Sequence, residues 1–235
     1  MKSGFTLVEL IVVVGILGVL AALVFPALHS AHERGLDAKC KSNLRELAGA
    51  AILYADEHRG RFPIAYDENF NCWDFAVYHG DIVLGEMWEY TTSKDILACP
   101  KCYGVPDNCF GAQQTGYNYN TSAVGGGAFE TRKSSSRMQN FENPSRLALF
   151  GDAGYGDPEL MNKFMRAPKR NEMDESGAST RKAGTQSFRH LRHTNVSFAD
   201  GHVESVWTSF KMNGKEGFVA GHTGFLPQEL YFGKN

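Results

Sequence analysis

FTLVELIVVVGILGVLAALVFPAL, residues 5–28, decides the architecture of this chain. From position 10 to position 28 nineteen residues pass without a charge. Wound as an α-helix at about 1.5 Å per residue, that run is roughly 29 Å long. The hydrocarbon core of a bilayer is ~30 Å thick. The run has no polar face, which a core helix of a soluble domain carries wherever it meets water. It therefore reads as a single membrane-spanning helix. Glu9 is the anomaly at its front. A carboxylate among apolar residues is costly unless paired or neutralised, and a simple anchor needs none. Lys2 is the only charge before it. A secretory signal is cut behind its apolar segment, after small residues. Here the better cut lies in front, between Gly4 and Phe5, which removes residues 1–4 and keeps the anchor. The new amine on Phe5 is a natural partner for Glu9, either about one turn away or on a staggered neighbouring helix.

MKSG followed by FTLVELIVVVGILGVLAALVFPAL resembles the N-terminus of type IV pilins and type II secretion pseudopilins. The resemblance implies that a prepilin peptidase cuts after Gly4 on the cytoplasmic side and methylates Phe5. It implies that Glu9 pairs with the N-terminal amine of a neighbouring subunit during assembly. Pro26 matches a proline that bends or loosens the family's long helix. The implied partners are the prepilin peptidase, other pilin or pseudopilin subunits and an inner-membrane assembly platform. The implied placement is a single-pass inner-membrane protein with its N-terminus in the cytoplasm. Its C-terminal domain is then periplasmic, or at the cell surface when assembled. The basic residues point the other way: Lys2 precedes the run, whereas Arg34, Lys39 and Lys41 follow it, and such residues favour the inner side. We take the orientation from the resemblance, because the cut and Glu9 make sense only with Gly4 facing the cytoplasm.

The chain has 235 residues, enough for one domain beyond an anchor and a stalk. Lys plus Arg number 24 and Asp plus Glu 26, a formal charge of -2, so no broadly basic surface for nucleic acid is expected. After the anchor, Leu36, Cys40, Leu44, Leu47, Ala51 and Tyr54 recur at spacings of three and four, with charges between them. That is an amphipathic helix over residues 29–60, continuous with the anchor and stopped by Gly60 and Pro63. The expected class is α+β and pilin-like: a long N-terminal helix packed on a small antiparallel sheet with long loops, the outer domain being residues 61–235.

Within that domain, Trp73, Phe75, Tyr78, Trp88 and Tyr90 suit either a sugar or peptide groove or core packing around the helix. ILACPKCYGVPDNCFG brings Cys99, Cys102 and Cys109 close in sequence. A redox pair would need a helix start after Cys99, and the following residues do not read as one. Zinc would take these three cysteines with His79 or Cys72 as a fourth ligand. A disulfide, Cys99–Cys109 or Cys102–Cys109, suits an oxidising compartment, and reduced structural cysteines are the remaining reading. With five cysteines one is left over, and Cys40 on the stalk is the expected spare. Residues 111–146 read as a long loop with small elements, RLALF at 146–150 as a strand, and residues 158–184 as a charged exposed loop. Asp152 and Asp157, in GDAGYGD, read as part of a plain turn or, by their hard oxygen ligands, as a calcium site, although their spacing does not match an EF-hand. The family comparison adds that major pseudopilins of type II secretion carry a calcium loop.

NVSF and HVESVW read as two strands joined by a tight Asp200-Gly201 turn. His190, nine residues and Asp200-Gly201 together resemble a signature near the C-terminus of many prepilin-like proteins. His190 then serves as a hydrogen-bonding lock, a metal or ligand contact, or an acid–base group, in that order of expectation. Two functions follow. One is a structural subunit of a secretion pseudopilus or type IV-like filament, without catalysis. The other is a membrane-tethered ligand-binding or metal-dependent hydrolytic module that uses the prepilin export route. A deep pocket joining His190, Asp152 and the aromatic stretch would favour the second.

Overall fold

The structure, a computed structural model, describes residues 6–69, 71–78, 81–91, 93–101, 115–130, 132–154, 163–167, 186–207, 211–212, 215–216, 223–224 and 226–233. Helix α1 (Leu7–Glu57) is 51 residues long. It opens on a capping box: Thr6 accepts from the backbone N–H of Glu9, and the Glu9 carboxylate accepts from Thr6 N–H. It closes on a left-handed pair, Arg59 at φ 57° and Gly60 at φ 79°, with Gly60 N–H donating to Ala55 O at 2.7 Å. The helix runs through Pro26, which leaves the carbonyl of Ala22 without its helical donor.

The strands are β1 (Phe75–Tyr78), β2 (Asp81–Leu84), β3 (Tyr117–Asn120), β4 (Ala148–Asp152), β5 (Phe164–Met165), β6 (Gln186–Ser187), β7 (Thr194–Phe198), β8 (Val203–Val206), β9 (Lys211–Met212), β10 (Lys215–Glu216) and β11 (Thr223–Gly224), and a short α2 (Gln228–Phe232) follows. The main sheet has five strands in the order β5-β3-β4-β7-β8. It is antiparallel except for the parallel β3–β5 pair. The expected hairpin is β7–β8, with Gly201 at φ 90° in its turn, a conformation that only glycine adopts without strain.

The sheet lies on the C-terminal half of α1, which crosses β4, β7 and β8. Cys40, Leu44, Leu47, Ala48, Ala51 and Ala55 of α1 are buried, on the face expected from their spacing; Leu36 and Tyr54 at its margins are half-buried. They join Trp73, Tyr119, Phe150 and other residues in one core. A second core on the other side of the sheet gathers Ala148, Val196, Phe198, Leu226 and Tyr231. Of the aromatic stretch, Trp73 and Phe75 are core residues and Trp88 and Tyr90 pack at its edge.

Two expectations are corrected. Part of the presumed long loop is β3, a central strand with all four residues buried. Its asparagines hid it: Asn120 Nδ2 donates to Ala148 O at 2.8 Å and Tyr231 O at 2.9 Å, and Asn118 Oδ1 accepts from Gln186 Nε2 at 3.0 Å. Buried amides are tolerated when so satisfied. Likewise residues 163–167, expected in an exposed charged loop, include β5 and are buried. The Lys163 ammonium donates to Asp74 Oδ1 at 3.1 Å and Phe75 O at 2.9 Å, and Arg166 pairs with Glu130. Buried charges survive only in such pairs.

Leu44 is fully buried and Leu53 is 58% exposed on the same helix. Leu44→Ala is expected to destabilise the outer domain by about 3 kcal/mol, and Leu53→Ala by less than about 0.5 kcal/mol. Denaturant midpoints of the detergent-solubilised full chain check this; equal shifts would contradict the helix–sheet packing.

Candidate functional site: an uncovered helix half and a buried polar knot

Among the described residues, nothing packs over the N-terminal half of α1. Every residue from 6 to 30 is exposed except half-buried Ala21. Leu10, Ile11, Val14, Leu17, Leu20 and Phe25 all present their side chains outward. The most apolar eighteen-residue window of α1 has a mean hydropathy of 2.9, long and apolar enough to cross a membrane. Soluble monomers rarely show a contiguous apolar patch above a few hundred Å², so this half requires lipid or other helices around it. Glu9 is held locally: its Oε2 accepts from Thr6 N at 2.9 Å and from the Thr6 hydroxyl at 2.7 Å. Thr6-x-x-Glu9 is a capping signature legible in the sequence, and the sequence reading missed it. Gly4 and Phe5 lie outside the described residues.

The second feature is a polar knot where α1 meets β7. Along β7, Val196 and Phe198 enter the far core. The alternation of a strand then turns Asn195 and Ser197 toward α1. The carboxylate of Asp37, on α1, receives three directional contacts. Asn195 Nδ2 donates to its Oδ1 at 2.7 Å, His193 Nε2 lies 2.9 Å from the same oxygen, and Lys41 Nζ lies 2.8 Å from Oδ2. Burial pushes the Asp37 carboxyl up, but Lys41, Asn195 and His193 together hold it below the usual range. Sequence reading gave Asp37 no role, because its spacing matches an ordinary solvated i,i+4 pair with Lys41.

His190 enters the same knot through a tight turn. His193 N–H donates to His190 O at 2.8 Å, and the two residues between, Leu191 and Arg192, have φ of 49° and 74°, as in primed hairpin turns. The imidazole is buried, with Nε2 3.6 Å from Asp152 Oδ1 and 3.5 Å from Cys99 Sγ, and Nδ1 3.8 Å from Asp37 Oδ1. At 3.6 and 3.8 Å the two carboxylate contacts are charge proximity, not hydrogen bonds. Among the described residues, His190 Nδ1 has no hydrogen-bond partner. Burial alone pushes the His190 pKa down; Asp152 and Cys99 outweigh it and raise the value to about 9.

His190 and Asp200-Gly201 do not meet. They bracket β7: His190 is buried before its start, and Asp200 is exposed after its end, where its Oδ1 accepts from His202 N–H at 3.2 Å. Asp152 is buried at the end of β4. Its Oδ2 accepts from Asn195 N–H at 2.7 Å and its Oδ1 faces Arg189 Nη2 at 3.3 Å. Protein donors thus occupy both oxygens offered to calcium; Asp157, Cys102, Cys109 and His79 lie outside the described residues. Cys40, expected as a spare, faces Cys99 across the core, with the sulfurs 2.6 Å apart. Cys40 Sγ, Cys99 Sγ, an Asp152 oxygen and a His190 nitrogen lie within 4.8 Å of one another, a donor set of the types that bind zinc.

A surface depression of about 550 Å³ is lined by Tyr54, His58, Ile64, Glu86, Trp88 and Tyr90 among others. Tyr54 and His58 stack at 3.8 Å, and the Tyr54 and Tyr90 hydroxyls donate to Glu86 at 2.8 Å and Glu57 at 2.6 Å. Neither His190 nor Asp152 lines it.

Residues 1–25 match the family described as the prokaryotic N-terminal methylation motif. The chain is similar to the type II secretion system core protein G of Pseudomonas aeruginosa, with 43% identity over 53 residues. That match covers 23% of this chain and 37% of the relative, so the chain spans little more than a third of that protein. No solved structure matches the chain.

The raised His190 pKa makes a signed prediction. Its contribution is fully present below its ordinary value near 6.5 and is lost as pH rises through about 9, a loss on the order of 3 kcal/mol. The lowered Asp37 value acts oppositely: its contribution is present above the ordinary carboxylate range and is lost as pH falls through the depressed value. With the cysteines kept reduced, urea midpoints of the detergent-solubilised full chain should therefore fall between pH 6.5 and 9, and His190→Gln should flatten that fall. A wild-type midpoint constant over this window would contradict the account.

Proposed function

We propose that this protein is a structural subunit of pilin type, cut after Gly4 and carried as a single-pass inner-membrane protein with its N-terminus in the cytoplasm. It assembles through residues 5–28 with other pilin or pseudopilin subunits into a type II secretion pseudopilus or a type IV-like filament. One observation carries this reading. A single continuous helix has one half buried by its own domain and the other half uncovered and apolar. A plain anchor explains the uncovered half, and the capping box uses the Glu9 side chain, but neither calls for a full negative charge there; lateral packing with other subunits gives that charge a partner. The methylation motif supports the reading, as does similarity to a protein named as a core component of type II secretion. The work is assembly rather than turnover. The rival, a tethered binding or hydrolytic module, needs His190 and Asp152 at a pocket, and the aromatic depression is lined by neither.

Glu9 gives the test. Glutamine also serves at this position of a capping box, so Glu9→Gln keeps the helix start while removing the charge. Membrane insertion and cleavage should survive. Incorporation into higher-order crosslinked species in the native host should fall tenfold or more, about 1.4 kcal/mol or more of lost interaction. Equal incorporation would contradict an assembly role for Glu9. In the same samples, the N-terminal peptide should begin at a methylated Phe5; one beginning at Met1, or beyond residue 28, would contradict the processing.

A further inference from the structure

Cys40 sits on the buried face of α1, and Cys99 follows the Lys94–Leu97 turn, 59 residues later in sequence. Both are buried. The Cys99 segment is held in place on its own account. Gly116 N–H donates to Leu97 O at 2.8 Å, and a Cβ on Gly116 would stand 2.4 Å from Cys99 N. Asn43 of α1 donates to Ala98 O at 3.1 Å. This packed backbone delivers the two sulfurs to a separation of 2.6 Å.

That contact discriminates between two chemistries. Non-bonded carbon atoms in van der Waals contact rest about 3.5–4.0 Å apart, and the larger sulfur atoms come no closer. Two thiolates sharing a tetrahedral zinc at ~2.3 Å each stand about 3.7 Å apart. Bonded sulfurs are separated by about 2.05 Å. The pair is well inside the first two distances and nearest the third. The remaining donors also argue against a cation. Arg189 Nε lies 3.3 Å from Cys99 Sγ, and the guanidinium is fixed there by Ala153 O and Gly116 O, each at 2.6 Å. Asp152 is already engaged by Arg189 and by the N–H of Asn195.

We infer that Cys40 and Cys99 form a disulfide that stitches the stalk of α1 to the globular domain. The inference rests on the outward placement of that domain proposed above, since cytoplasmic thiols are kept reduced. The oxidant is a protein disulfide donor of the extracytoplasmic compartment. One cysteine loses its proton and attacks the donor's disulfide, releasing one donor thiol. The other loses its proton and displaces the second. Two protein thiols thus become one disulfide while one donor disulfide becomes two thiols. Contact with Cys99 and burial push the Cys40 thiol far above its ordinary pKa, so the packed thiol is a poor nucleophile.

The test uses the full chain in its native membrane. Thiols are trapped by acid and alkylated, the protein is digested without reductant, and linked peptides are read by mass spectrometry. Protease cleavage from outside spheroplasts is scored in the same cells. The expected result is a Cys40–Cys99 linked peptide from externally cleaved protein, lost in Cys40→Ser and retained in Cys72→Ser. Full alkylation of both cysteines, linkage of Cys99 to Cys102 or Cys109 instead, or stoichiometric zinc with both thiols alkylated, each overturns it. If the reduced chain is cleaved from outside, the bond alone fails. If the reduced chain is protected, the outward placement fails and takes the bond with it.

Discussion

The structure depends on how one helix is covered. Cys40, Leu44, Leu47, Ala48 and Ala51 form a stripe that must leave water, and the five-stranded sheet removes it. Each fully buried leucine contributes about 1.5–3 kcal/mol, so this contact is the reason the domain sits where it does. The same helix continues without a break into a segment that the domain does not cover at all. The two halves therefore meet different surroundings: one is packed on its own sheet, and the other is apolar and exposed.

Apolar packing alone sets the position of a helix loosely. The knot at Asp37 adds direction. Its two oxygens are claimed from β7 by Asn195, from the turn before β7 by His193, and from its own helix by Lys41. Arg189 then links the neighbourhood of Asp152 and Cys99 to the carbonyls of Gly116 and Ala153. Buried carboxylates of this kind are costly unless satisfied, and here each is. Rotating α1 or sliding it by one turn would strand Asp37, which ties the axial position of the stalk to the start of β7. His190 lies buried at the same junction, between Asp152 and Cys99, while Asp200-Gly201 lies at the far end of the strand.

The anchor, the stalk, its buried face and the β7–β8 hairpin were legible in the sequence because each rests on local periodicity or a turn residue. Strand β4 was legible through its apolar run, offset by two residues. Strand β3 was not, since Asn118 and Asn120 look solvated until their tertiary partners are known. Lys163 and Arg166 misled for the same reason: a charge in a charged segment reads as surface, and only Asp74 and Glu130, distant in sequence, bury it. At the site, the chemistry-bearing residues His190, Asp152 and Cys99 were singled out. Their convergence on Asp37 and Cys40 was not, because each contact spans a long stretch of chain and leaves no spacing to read. The capping box at Thr6 and Glu9 is written in the sequence as Thr-x-x-Glu, inside a run whose apolar character draws the eye to a membrane partner for Glu9 instead.

The central claim is that the uncovered half of α1 is a surface for other subunits. A photoactivatable crosslinking residue in place of Leu17, exposed on that half, tests it most directly when the protein is expressed in its native host. The account predicts ultraviolet-dependent adducts from position 17 to other copies of this chain or to other pilin-type subunits. Adducts to lipid alone, in cells where the processed protein is abundant, would contradict it.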